Sequence, residues 1–266
     1  MDITQAAGIM LITVSVIFIF MVLVWLLSLR LRNASIADVF WGTGFILVAW
    51  TAFTVTPCTT CRGMLAAVLT TMWGLRLSLH IFSRNRGRPE DPRYVRMREK
   101  HGSRFRIVSL FTVFLFQGLM MFIISLPVQA AIAGQCPDYI TALDVLGSIV
   151  WAAGFFFESV GDYQLTGFLA DPANRGKVMD RGLWRYTRHP NYFGEAVMWW
   201  GLFIIALSVR YGAYTAAGPL LITFLLLRVS GVTMLEKDMK ESNPEYADYI
   251  ERTSSFIPRP PAKPGR

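Results

Sequence analysis

Seven stretches of about 20 residues, at 8–29, 36–56, 63–82, 107–133, 142–161, 193–209 and 213–234, are apolar enough to cross a bilayer. No other feature limits the fold as strongly, because a hydrocarbon core about 30 Å thick takes roughly 20 residues of helix to span. Composition agrees: 53% of the 266 residues are hydrophobic and 17% are charged, too apolar a balance for a soluble domain of that size. The sequence predicts an all-α, polytopic membrane protein with seven transmembrane helices. The first stretch is longer than the apolar region of a signal peptide and no A-x-A site follows it, so it is expected to stay attached.

Short loops rich in lysine and arginine stay on the cytoplasmic side of a membrane. Between Phe82 and Ile107 lie nine cations (Arg84, Arg86, Arg88, Arg93, Arg96, Arg98, Lys100, Arg104 and Arg106) against Glu90, Asp91 and Glu99. Arg30 and Arg32 follow the first span, and Arg175, Lys177, Arg181, Arg185 and Arg188 follow the fifth, whereas the alternate loops hold little beyond Arg62, Asp138 and Arg210. Seven spans then place the N-terminus outside and the C-terminus in the cytosol. The net charge of +8 is explained by topology and lipid headgroups and needs no nucleic acid. Without repeats or a long linker, residues 1–258 read as one membrane domain with a signature region at 142–258. The Pro-rich residues 259–266 read as a tail without fixed structure.

Ionisable residues within or at the edge of spans are expensive, and are functional candidates by default. Here they gather toward one end: Asp38 at the start of span two, Arg76 and His80 four apart on span three, Glu158 and Asp162 four apart near the end of span five, and Glu195 opening span six. Arg228 is deeper, about two turns before Glu236, and a buried guanidinium there calls for a carboxylate such as Glu195 or Glu158. Two carboxylates one turn apart repel each other when ionised, so Glu158 and Asp162 call for ligand hydroxyls, an arginine or a shared proton. Together these residues are expected to line one polar cavity. Helix-packing pairs and headgroup solvation are the plain alternatives. Cys58 and Cys61 form C-T-T-C in an outer loop, without the further ligands that zinc requires, so no metal is expected. A disulfide of Cys58 or Cys61 with Cys136 fits an oxidising compartment.

The stretch G-L-W-R-Y-T-R-H-P-N-Y-F-G-E, Gly182 to Glu195, puts cations, an imidazole, an amide and a carboxylate directly before an apolar run. It resembles the loop signature of the steroid 5-alpha-reductase and sterol C14-reductase superfamily, and the whole chain is similar to that superfamily's DUF1295 family. S-I-A-D-V-F-W-G at Ser35–Gly42, W-G-L-R-L-S-L-H at Trp73–His80 and N-R-G-R-P-E-D-P-R-Y at Asn85–Tyr94 carry the resemblance further. So do E-S-V-G-D-Y-Q at Glu158–Gln164 and the tail with L-E-K-D-M around Glu236 and Y-A-D-Y-I-E-R-T-S-S-F-I-P. The R-H-P-x-Y-x-G core is shared with isoprenylcysteine carboxyl methyltransferases.

The resemblance implies a membrane reductase that takes NADPH from the cytosol and delivers hydride to a carbon–carbon double bond conjugated to a carbonyl in a lipid-soluble substrate. Asp162 and Asn191 match the family positions that contact the cofactor, and Arg76, Glu158, Arg188, Tyr192 and Glu195 match further positions of its motifs; Arg86, Arg88, Arg185, His189, Arg228 and Glu236 are the other polar residues expected around the cofactor. A pyrophosphate and a 2′-phosphate need arginine forks and backbone donors, and Pro190 starts a helix whose first N–H groups suit an anion. One departure stands out. Steroid 5-alpha-reductases polarise the enone oxygen with a glutamate in span two and a tyrosine before R-G-R-P, whereas the comparable stretches here hold Trp41 and Trp73. Asp38, His80 or Tyr192 is then expected to supply the proton. An S-adenosylmethionine-dependent methyltransferase and a non-catalytic lipid-binding relative are the alternatives. Membrane lipids are the expected surroundings, with no obligate protein partner evident. The membrane is the inner one in a bacterium or the endoplasmic reticulum in a eukaryote.

Overall fold

The computed structural model of the protein describes residues 3–134, 139–229 and 245–262, and all regular structure among them is helical. Long helices run at α1 (Ile3–Leu31), α2 (Ile36–Val55), α3 (Cys61–Asn85), α8 (Ala142–Ala170) and α9 (Pro190–Ala206). Between α3 and α8 lie α4 (Pro92–His101), α5 (Phe105–Ser109), a π-helical segment (Leu110–Leu115), α6 (Phe116–Ile124) and α7 (Leu126–Ala133). After α9 come α10 (Ala217–Phe224), a second π-helical segment (Leu225–Val229) and α11 (Glu245–Arg252).

Six helical stretches are long and apolar enough to cross a membrane: Gln5–Leu31, Ile36–Val55, Cys61–Asn85, Pro92–Ile124, Ala142–Ala170 and Gly212–Val229. This is an integral membrane protein by that measure. The expected span at 193–209 falls on α9, whose 17 residues rise about 26 Å, slightly less than a hydrocarbon core. The expected span at 107–133 is shifted toward its N-terminus. The helix already begins at Pro92 and is interrupted at Ser125, and Pro127 restarts it as α7. Proline lacks the N–H that an uninterrupted helix would use, which accounts for the new start. At 29 residues α8 is about 44 Å long, so its last turns extend beyond the expected span at 142–161, with Glu158 near the end of that span and Asp162 just past it.

The chain divides into two compact units, Met1–Asp144 with Ile205–Gly218, and Val145–Ile204 with Pro219–Arg266. In the first, α2 lies against α1 and α3. A Cβ on Gly42 would sit 2.4 Å from the Gly74 carbonyl oxygen, and one on Gly74 would sit 2.6 Å from that of Gly42. Only glycine permits so close an approach, the small-residue packing common between membrane helices. Arg62 and Asp144, 1% and 0% exposed, form a buried ion pair in this unit. The guanidinium donates to both carboxylate oxygens at 2.8 and 3.0 Å and to the Tyr139 carbonyl at 3.1 Å. Asp144 also accepts from the Thr141 N–H and hydroxyl and from the Ser208 hydroxyl. Such a pair is tolerable in an apolar interior because every lone pair is used.

In the second unit, α8 and α9 meet at Gly154 and Gly194. A Cβ on Gly194 would lie 2.4 Å from the Glu158 nitrogen and 2.5 Å from the Gly154 oxygen. The tail is ordered through Ala262: the Arg259 N–H donates to the Tyr186 carbonyl and the Ala262 N–H to the Arg252 carbonyl, both at 2.9 Å. Residues 259–262, expected to lack fixed structure, are thus tied down by backbone bonds. Cys58 and Cys61 are exposed free thiols, and Cys136 lies outside the described residues.

Candidate functional site

In the second unit the signature stretch joins the end of α8 to the start of α9. The Trp184 indole N–H donates to the Gly161 carbonyl at 3.0 Å and the Leu183 N–H to the Gln164 side chain at 2.9 Å, fixing the loop on α8. Pro190 then opens α9, placing Asn191 one turn from Glu195 on the same helix. The Asn191 amide donates to Asp162 at 3.0 Å and its carbonyl oxygen accepts from the Tyr192 N–H at 3.0 Å. An amide has two N–H groups and two lone pairs, and these bonds use one of each. The His189 ring lies parallel to that of Tyr192, centroids 5.5 Å apart. Asp162 is 8% exposed and Glu158 2%. Of the expected residues, Asp162, Asn191, Tyr192 and His189 are therefore gathered at one helix junction, with the Asp162 carboxylate held by an amide.

Arg188 takes a different part from the phosphate contact expected of it. Its backbone N–H donates to the Ser254 carbonyl at 2.9 Å, and its guanidinium donates to the carbonyls of Ile250 and Thr253. These acceptors lie at and just past the end of α11, where the helix dipole is negative and a cation is stabilising. The Thr187 hydroxyl adds a bond to the Phe256 carbonyl at 2.8 Å, and Phe193 packs edge-on against Phe256. Tyr249, raised in pKa by burial and then by Tyr246, stays protonated and donates to the Trp184 carbonyl. R-H-P and the tail motif thus form one clamp.

Arg185 is exposed and lines a cavity of about 440 Å³ together with Asp180, Arg181, Arg252 and Thr253. Arg252 donates to Asp180 at 2.9 Å. The sequence counts Arg181 only as a topology cation and shows Arg252 only as part of the tail motif. The Arg252–Asp180 bond that brings the tail to this loop spans 72 residues and leaves no local pattern. Arg228 is exposed rather than buried: in its π-helical turn Leu226 is the buried residue, and two residues further the helix presents its opposite side. Glu236 lies outside the described residues. Glu195 is half-buried.

The first unit holds the remaining candidates. Arg76 and His80 are half-buried on α3, and Arg86 and Arg88 are exposed beyond its end. Asp38 is engaged: Arg93 donates to one carboxylate oxygen at 2.9 Å and the Tyr94 hydroxyl to the other at 2.8 Å. The S-I-A-D and R-P-E-D-P-R-Y stretches are thereby one cluster. The Ser35 hydroxyl accepts from the Asp91 N–H at 2.8 Å, and Glu90 accepts from the Ala34 N–H at 2.6 Å and from Arg98 at 2.8 to 3.2 Å. Burial opposes ionisation of Asp91, but hydrogen bonds and charge from Arg93 outweigh it and hold the carboxyl below its ordinary value. A carboxylate of the second helix bonded to a tyrosine hydroxyl is thus present, with its tyrosine after R-G-R-P rather than before it. Trp41 and Trp73 lie on either side of Phe45, at 5.1 and 5.3 Å. The sequence signal was available in three carboxylates among nine cations, which the charge count used for topology alone.

Apolar spans with ionisable groups clustered at their ends define a polytopic helical membrane protein. The chain belongs to the DUF1295 family, described as a protein family of unknown function, whose sequence profile matches residues 24–253. This is the family that the motifs lead one to expect. The chain is also 26% identical over 226 residues to an uncharacterized protein of Schizosaccharomyces pombe, an alignment covering 74% of this chain and 64% of that protein. It therefore spans less than two thirds of that relative's length. No solved structure matches.

Proposed function

We propose that the protein is an NADPH-dependent membrane reductase of the 5-alpha-reductase type, acting on a lipid-soluble compound with a carbon–carbon double bond conjugated to a carbonyl. The arginine-rich loops and the cofactor site face the cytosol in this reading. The observation that carries it is the Asp162–Asn191 bond at the α8–α9 junction, because these are the two positions that the resemblance assigns to cofactor contact. The remaining amide donor of Asn191 and the acceptors around it suit a carboxamide or a ribose hydroxyl.

The residues fit the group in part. Arg188 serves the end of α11, so Arg181, Arg185 and Arg252 around the 440 Å³ cavity are the cations of this unit suited to phosphate. NADPH, when bound, supplies the hydride. Asp162 orients the Asn191 amide, and Tyr192, held against His189, is the group of this unit that gives a proton to the substrate carbon. Asp38, a carboxylate already accepting from Arg93 and Tyr94, is suited to accept hydrogen bonds rather than donate a proton.

Calorimetry of the purified full chain with NADPH and S-adenosylmethionine side by side tests the reading. NADPH is expected to bind, and Asp162→Ala or Asn191→Ala to weaken it at least tenfold. Binding of S-adenosylmethionine alone, or NADPH binding unmoved by both substitutions, refutes it.

A further inference from the structure

The end of α1 carries a feature that the reductase reading does not use. Ser28, Leu29, Arg32, Ala34, Arg98, Phe105, Arg106 and Ser109 line a cavity of about 300 Å³ within the first unit, a volume at the lower end of small-ligand sites. Its floor is buried: Ser28, Ala34, Phe105 and Ser109 are all below 5% exposed. The Trp25 indole N–H donates to the Arg106 carbonyl at 3.0 Å and joins the two helical walls.

Three arginines surround this floor. Arg98 stacks over Phe105 at 4.5 Å and is neutralised by Glu90, while among the described residues Arg32 and Arg106 have no ion-pair partner. The cavity therefore has two cationic groups to offer an anion. The backbone at Arg32 strengthens the case. The Arg32 N–H bonds to the Leu29 carbonyl and the Asn33 N–H to the Ser28 carbonyl, the two bonds of a Schellman helix end. The residue at that corner adopts the left-handed conformation, with φ of 53°, and is the only non-glycine with positive φ among the described residues. Glycine is the usual occupant. An arginine is held there instead, at the mouth of the cavity.

The hydroxyls indicate what kind of anion is bound. Ser28 donates its hydroxyl proton to the Trp25 carbonyl at 2.7 Å, and Ser109 donates its own to the Arg106 carbonyl at 3.0 Å. What each oxygen then offers the cavity is an acceptor. A bare phosphate has little to give an acceptor, whereas a headgroup that carries both a phosphate and alcohol groups matches arginines and serine oxygens together. Leu27, Leu31 and Ile107, which flank the lining residues in sequence, are exposed apolar side chains, 40%, 54% and 66% accessible, on helices that cross the membrane. They suit acyl chains.

We propose that this cavity is a binding site for an anionic phospholipid with a hydroxylated headgroup, its phosphate held by Arg32 and Arg106 and its alcohol groups by Ser28 and Ser109. Basic pockets between membrane helices are suited to such headgroups. The test is native mass spectrometry and thermal unfolding of the full chain in neutral detergent, titrated with phosphatidylglycerol, phosphatidylcholine or inorganic phosphate. Phosphatidylglycerol is expected to bind and stabilise in preference to the other two. Arg32→Gly is the informative variant, because glycine suits the left-handed backbone and the protein should fold at least as well, while losing about fivefold in phosphatidylglycerol affinity. Adding Arg106→Gln should bring the loss to about 25-fold. Equal binding of phosphatidylcholine, equal stabilisation by inorganic phosphate, or unchanged phosphatidylglycerol affinity in a folded Arg32→Gly variant would each overturn the assignment.

Discussion

Gly194→Ala tests whether the α8–α9 crossing sets the geometry of the candidate site. The added Cβ would stand 2.4 Å from the Glu158 nitrogen and 2.5 Å from the Gly154 oxygen, both backbone atoms that no rotamer change can move. Ordinary contact begins at 3.4 Å, so the helices must separate locally by about 1 Å. Asn191 is one turn before Gly194 on α9, and Asp162 is one turn after Glu158 on α8. A displacement of that size would stretch their 3.0 Å hydrogen bond toward 4 Å, beyond bonding distance. Overpacking of this kind costs about 1–3 kcal/mol, and a 1 Å displacement of a positioned group costs on the order of 100-fold in activity. The assay is the unfolding midpoint of the purified protein followed by tryptophan fluorescence, with NADPH binding measured alongside. Gly167→Ala on α8 is the control: nothing lies within 4 Å of its Cβ, and alanine favours the helix by up to about 1 kcal/mol. A Gly194→Ala protein as stable as wild type, binding NADPH equally well, would refute the reasoning.

Three further outcomes are expected. Asp144→Ala leaves the buried Arg62 without its carboxylate, and should destabilise the protein by about 3–5 kcal/mol, whereas Arg62→Met with Asp144→Leu should recover most of that loss; denaturation of the single and double variants measures it. The folded pKa of Asp91 is depressed, so its stabilising contribution is complete above the unfolded value near 3.8 and is lost as pH falls through the folded value. Asp91→Asn should therefore melt below wild type at pH 7, and the gap should close in melts taken below about pH 4. Cys58 and Cys61 are exposed, and the orientation expected from the charge pattern predicts that a membrane-impermeant maleimide labels both in intact cells. Labelling only after the membrane is opened would reverse the orientation.

The helical membrane class is legible because apolar length is a local property: each of the six long stretches can be read without knowledge of its neighbours. Boundaries are less so. Nothing apolar distinguishes residues 92–106 as part of the helix that continues to Ile124, and the interruption at Ser125 is announced only by Pro127. The Asp162–Asn191 pairing was approachable from sequence because motif and resemblance pointed to both residues. Arg188 was not, since a phosphate-binding arginine and one that caps a helix 62 residues later read identically along the chain.

The same contrast separates the two polar clusters. Asp38 stood out as a carboxylate in an apolar span, but its partners Arg93 and Tyr94 open α4 at the end of a loop where cations are so dense that no single one is conspicuous. Charge density conveys sidedness, and it conceals pairing. Once Glu90 and Asp91 are matched to Arg98 and Arg93, the loop ceases to be a uniform basic surface and its uncompensated charge contracts to particular side chains. Arg106 is one of them, and it lines the same cavity as Arg32 at the end of α1. The pairing of acids with some arginines is therefore what leaves a defined anion-binding face on the others, a distinction that net charge alone does not contain.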